Sequence, residues 1–198
     1  MVRAALTGGI ATGKSFCLGA FAALGAATID ADVLSREVVA PGTEGLRRVV
    51  MRFGSQLLLP DGSLDRPALG RIVFADRAAR ADLEAIIHPE VYTRIREWSA
   101  NLPAGTRVSI ADIPLVFETG QQHQFDRIIV CACDPAEQLR RVMARDNLSE
   151  AEARARLAAQ WPIDEKAARA DFVIRTDGSH AETKGQVKRV FETLNFEL

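Results

Sequence analysis

Residues 5–16 read ALTGGIATGKSF. Within them Gly8, Gly13, Lys14 and Ser15 occupy the fixed positions of G-x-x-x-x-G-K-[ST]. Small residues at that spacing let backbone N–H groups converge on phosphate oxygens, and the helix that follows offers the positive end of its dipole to the same anion. In such a loop the lysine reaches the β- and γ-phosphates and the hydroxyl coordinates Mg²⁺. The flanks are those the pattern needs: "VRAAL" predicts a strand, and "KSFCLGAFAALG" has helical spacing and stops at Gly25. A nucleoside triphosphate and Mg²⁺ are the ligands this loop implies.

Working outward, "AATID" predicts a second short strand, and "RVSIADIPLVFE", "DRIIVCACD" and "DFVIRTDG" predict three more. Strands alternating with helical tracts imply βαβ units and a parallel sheet covered on both faces, with ligands at the carboxyl ends of the strands. Those ends carry the Gly-rich loop, Asp30 and Asp32, Asp112, and Asp134. Residues 32–105 are too many for one crossover helix and predict a helical insert, punctuated at "APGTEG", "LPDGSLDRP" and "IIHPE". His88 before Pro89 reads, by itself, as a helix boundary. The Arg-, Ala- and Glu-rich tract from Pro135 to Ala170 predicts two or three helices.

Phosphoryl transfer to a hydroxyl needs a group that receives its proton, and Asp30 or Asp32 fits that need, although Asp at such a position also caps helices. Asp112 sits at a strand end, where a carboxylate helps hold Mg²⁺, and Pro114 closes the strand. Arg141 and Arg145 lie four apart on one side of a helix and suit phosphates, whereas Arg140, Arg154 and Arg156 read as a solvated, ion-paired face.

The 198 residues, 47% hydrophobic and 26% charged, suffice for one good-sized domain. A net charge of -1 with no basic block does not suggest a nucleic-acid surface. No apolar stretch reaches a bilayer-spanning length and the first residues do not read as a secretory signal, so the expectation is a cytoplasmic protein without a membrane partner. Cys17, Cys131 and Cys133 form no C-x-x-C pair and read as small packing residues. His123, in the polar tract "ETGQQHQFD", is expected to face solvent.

Taken in order, "LTGGIATGKS", "IDAD", "GSLDRPALGRIVF", "IIHP", "DIPLVFE", "LRRVMARD", "AAQ" and "KAARADFVI" resemble the dephospho-CoA kinase family over nearly the whole chain. The resemblance implies ATP-dependent phosphorylation of the ribose 3′-hydroxyl of dephospho-CoA, giving CoA and ADP in the last step of coenzyme A synthesis. The fold it implies is α/β, a three-layer P-loop kinase fold with a mostly parallel five-stranded sheet, a helical acceptor-binding insert and a helical lid. The single domain then divides into a core (1–31, 106–137 and 171–198), an insert (about 32–105) and a lid (about 138–170). Carried onto this chain, the resemblance implies Asp32, Lys14 and Arg141 as catalytic residues. ATP contacts fall on Gly8, Gly9, Ile10, Ala11, Thr12, Gly13, Lys14, Ser15, Phe16, Arg145 and Gln160. The acceptor falls on Thr7, Asp32, Arg66, His88, Pro89 and Glu118, and Mg²⁺ on Ser15 and Asp112. The expected assembly is a monomer or weak homo-oligomer.

Alternatives at this level are another P-loop kinase acting on a nucleoside, nucleotide or sugar acid, which would differ only in its acceptor pocket, and a regulatory GTPase. The GTPase is disfavoured by the lack of an N-K-x-D guanine signature and of a D-x-x-G switch in the expected region. The chain also departs from the family pattern. Ala11, Thr12 and Phe16 replace the usual loop residues, and the β-carbon of Ala11 predicts a backbone that avoids left-handed angles. Arg175-Thr176 stands where an Asp-Asn pair is usual.

Overall fold

A computed structural model describes residues 1–196. Its five strands, all parallel, lie in the order β2-β3-β1-β4-β5: β1 Val2–Gly8, β2 Ala27–Asp30, β3 Val108–Asp112, β4 Arg127–Ala132 and β5 Phe172–Arg175. Strand β1, buried at every position but Arg3, takes the centre, where both of its edges are paired and both of its faces are covered. Its register places Leu6 beside Asp112 of β3 and Gly8 beside Cys131 of β4.

Val2, Ala4 and Leu6 alternate onto one face of the sheet and pack with Ile110, Ile129 and Ile174. That face is covered by α1 (Lys14–Ala23) through Cys17 and Phe21 and by α9 (His180–Phe196) through Val187, Val190 and Leu194. Ala5, Thr7, Ile128 and Val130 point the other way and are equally buried. On β4 this cover includes α8 (Ile163–Ala167). Between β4 and β5 the chain also forms α6 (Pro135–Asp146) and α7 (Glu150–Ala158). The three cysteines are free and buried, with Cys17 and Cys131 inside the core cluster.

The chain divides into two compact units, residues 1–30 with 102–198, and residues 31–101. The second contains α2 (Ala31–Glu37), α3 (Glu44–Phe53), α4 (Arg66–Ala75) and α5 (Arg77–Ala100). Its buried residues include Leu34, Val49, Phe53, Leu69, Ile86, Tyr92 and Ile95.

The helix boundary expected at His88-Pro89 is corrected: Pro89 lies inside α5, which continues for a further eleven residues to Ala100. Pro89 cannot donate to the carbonyl four residues back, that of Ala85. Ala85 is exposed, so water can take up that carbonyl, while Ile86, Val91 and Tyr92 hold the flanking turns in the core. No helix among the described residues is long and apolar enough to cross a membrane.

Candidate functional site

Helix caps mark the site. α3, α4, α5, α6 and α7 each begin on a side chain that accepts from their first-turn amides: Thr43, Asp65, Asp76, Asp134 and Ser149. The N-terminus of α1 has no such side chain and no acid in its first turn; its cap is Gly13, in the left-handed region at φ 82°. The first amides of a helix need an acceptor, and a phosphate supplies one.

Leading into that helix, the loop is held from several sides. Thr12 Oγ1 donates to the Gly9 carbonyl at 2.9 Å and Lys14 Nζ donates to the same oxygen at 3.2 Å. The Ile10 peptide is gripped by two glutamines: Ile10 N donates to Gln160 Oε1 at 2.9 Å, and Gln138 Nε2 donates to the Ile10 carbonyl at 2.8 Å. Gly9 is required by that grip, since a Cβ there would lie 2.2 Å from Gln138 Nε2. Ala11 departs from its expected backbone. It sits at φ 59°, in the left-handed region that the sequence predicted it would avoid. The hydrogen bonds on both sides of it, at Ile10 and Thr12, over-determine the turn and hold the strained residue in place.

Ala11 to Phe16 together with Arg140, Arg141, Ala144 and Arg145 of α6 line a cleft of about 580 Å³. The sequence thus places Arg141 and Arg145 beside the loop, and the structure brings all of these residues together. Arg141 is already fixed, donating from Nε to Glu137 at 2.8 Å and from its two terminal nitrogens to Thr176 Oγ1 at 3.2 Å and the Thr176 carbonyl at 2.7 Å. Arg140 and Arg141 hold the Glu137 carboxyl at about 2, far below its ordinary value. Arg145 pairs with Asp146, which also receives Arg156, and Arg154 pairs with Glu150 in an exposed i,i+4 bridge. Ser15 is exposed in the first turn of α1, and Phe16 stacks on His180 of α9 with 4.4 Å between centroids.

Behind the loop, Asp112 is 5% exposed at the carboxyl end of β3, in register with Asp30 of β2. Among the described residues no group of three or more His, Cys, Asp and Glu is clustered as for a metal. A magnesium ion does not require one, because it keeps several waters and takes one or two protein oxygens beside those of the phosphates. The Ser15 hydroxyl and the Asp112 carboxylate are the oxygen donors of the chemistry it prefers. Thr7 is fully buried and donates to the Pro114 carbonyl at 3.1 Å, and Glu118 accepts from Trp161 N at 3.0 Å and pairs with Lys166 at 2.7 Å.

The remaining sequence-derived residues lie in the second unit. Asp32 is exposed in the first turn of α2. Arg66 starts α4, next to its cap Asp65, and donates to the Arg36 carbonyl at 3.0 Å. His88 is half-buried on α5 and Pro89 is exposed beside it. Outside that unit, His123 is exposed, its ring nitrogen 2.9 Å from the Gly120 carbonyl. Sequence reading missed the loop-holding roles of Gln138, Lys166 and Thr176, whose partners are over thirty residues away in the chain.

Comparison with known proteins fits this arrangement. The family model described as CoaE, dephospho-CoA kinase, matches residues 2–182. The dephospho-CoA kinase of Anaeromyxobacter dehalogenans is 48% identical over 190 residues, covering 96% of this chain and 90% of that protein. Among solved structures, a protein of Thermus thermophilus superposes with a TM-score of 0.82 at 33% identity, covering 97% of this chain and 96% of that one. The dephospho-CoA kinase of Campylobacter jejuni does so at 0.66 and 30%, with the same coverage.

Proposed function

The chain belongs to the dephospho-CoA kinase family, phosphotransferases of the last step of coenzyme A biosynthesis, and we propose how its own residues divide that reaction. The activity is ATP-dependent phosphorylation of the 3′-hydroxyl of dephospho-CoA. Residues 8–15 hold the ATP phosphates, and the observation that carries this reading is the uncapped N-terminus of α1 facing a cleft walled by α6 arginines. Lys14 and the loop amides neutralise the β- and γ-phosphates. Arg141 and Arg145 stand at the cleft wall, where positive charge offsets the charge spread over the transferring group. Ser15, with help from Asp112, would hold a magnesium ion, which would supply Lewis-acid neutralisation of phosphate charge.

Asp32 orients the acceptor hydroxyl and takes its proton; Arg66, His88 and Pro89 of the insert are assigned to the acceptor, as are Thr7 and Glu118. Residues 138–170 act as the lid that excludes water, since an open site would lose ATP to hydrolysis. An ADP-release assay with ATP, Mg²⁺ and dephospho-CoA, with product mass locating the added phosphate, tests this directly. CoA formation is the expected outcome. No turnover by a preparation that still binds ATP would reject dephospho-CoA as the acceptor.

A further inference from the structure

Lys166 is 0% exposed, yet α8 carries it between two acids and two alanines, in a sequence context that reads as solvated surface. An ammonium has three N–H donors and is costly to bury unless all are met. Here Nζ meets three acceptors: Glu118 Oε1 at 2.7 Å, the Pro114 carbonyl at 3.0 Å and the Gly8 carbonyl at 3.3 Å. Burial holds its pKa below the ordinary lysine value, opposed by the hydrogen bond and charge of Glu118 and helped by the charge of Lys14.

Two of the three acceptors are main-chain oxygens at the ligand-binding ends of the sheet: Gly8 is the last residue of β1 and the first of the phosphate loop, and Pro114 follows β3. The peptide unit is planar and trans, so fixing the Gly8 carbonyl also fixes the direction of the Gly9 N–H. The next carbonyl, that of Gly9, is the one that receives Lys14 and Thr12. Six residues before Lys166, Gln160 takes up the Ile10 N–H. The segment 160–166 therefore grips the loop at both Gly8 and Ile10.

We propose that Lys166 is a positioning residue for ATP binding: its buried ammonium sets the first peptide of the phosphate loop, beyond neutralising Glu118. The inference rests on residues 8–15 being the ATP phosphate loop.

The test compares Lys166→Met, Glu118→Gln and the double variant by thermal unfolding and by calorimetric titration with Mg²⁺-ATP in the absence of dephospho-CoA. Lys166→Met alone strands a buried carboxylate and should lose both stability and ATP affinity. The double variant removes both charges, so its melting temperature should return towards that of Glu118→Gln. Its ATP affinity should remain about tenfold or more below that of Glu118→Gln, the loss expected of a charge-assisted hydrogen bond. Recovery of ATP affinity along with stability would overturn the proposal and leave Lys166 as the counter-charge of Glu118. A double variant that does not fold would overturn it too, making Lys166 a requirement of the fold. Wild-type protein that binds no ATP would instead reject the phosphate-loop reading beneath it.

Discussion

The Thr176 hydroxyl donates to the carbonyl oxygen of Thr12 at 2.9 Å, joining the residue after β5 to the phosphate loop across more than 160 residues of sequence. The same hydroxyl accepts from Arg141, whose Nε is bound by Glu137. A single chain of hydrogen bonds thus runs from α6 through the strand end to the loop. The threonine also packs against the loop, since a Cβ on Gly13 would touch its side chain at 3.4 Å.

Thr176→Val keeps the shape and removes the hydroxyl. It leaves the Thr12 carbonyl and one Arg141 N–H without their partner in a buried setting, a loss of about 1–2 kcal/mol in stability. ATP affinity should fall several-fold in calorimetric titration, because the loop loses its tie to Arg141. Unchanged affinity would show that the loop keeps its form without β5.

Ala11→Gly should be tolerated and mildly stabilising. A left-handed non-glycine residue costs about 1–2 kcal/mol, while glycine adds about 0.4–1 kcal/mol of entropy to the unfolded chain, so the net gain lies between about zero and about 1.6 kcal/mol. For a chain of this size that is a rise of no more than about 6 °C in melting temperature. A clear fall in melting temperature would mean that the Ala11 methyl makes contacts worth more than the strain at φ 59°.

Asp32→Asn should lower kcat by about 10²-fold or more, the usual worth of a general base, with the Kd for ATP unchanged. Asn keeps the size and the hydrogen-bonding reach but cannot take a proton. A near-normal kcat would remove Asp32 from the role and turn attention to Asp30, the neighbouring acid at the end of β2.

How much of this was legible in the sequence follows from the range of each interaction. The loop at Gly8, Gly13, Lys14 and Ser15 and the five strands were readable because their signals, spacing and apolar runs, are local. The left-handed backbone of Ala11 was not, because distant glutamines impose it against the residue's own preference. Pro89 misled for the converse reason: its local helix-breaking signal is overridden by the buried turns on either side. Lys166 was invisible because nothing in "IDEKA" distinguishes a buried lysine from a solvated one. Only the fold brings the oxygens of Gly8, Pro114 and Glu118 around it.

His88 gives the second unit a pH dependence whose sign can be worked out. Burial lowers its pKa below the ordinary 6.5, Glu84 opposes that shift and Arg80 adds to it. The unfolded chain therefore takes up the proton first as the pH falls. Stability drops through the window that opens near 6.5 and ends below the folded-state pKa, while above that window His88 is neutral in both states and contributes no slope. His88→Gln removes the titration while retaining a polar side chain, so its melting temperature should vary less with pH across this window than that of the wild-type protein. Parallel profiles for the two proteins would show that the histidine is hydrated enough to be protonated equally in both states, and that acid sensitivity in this range arises from other groups.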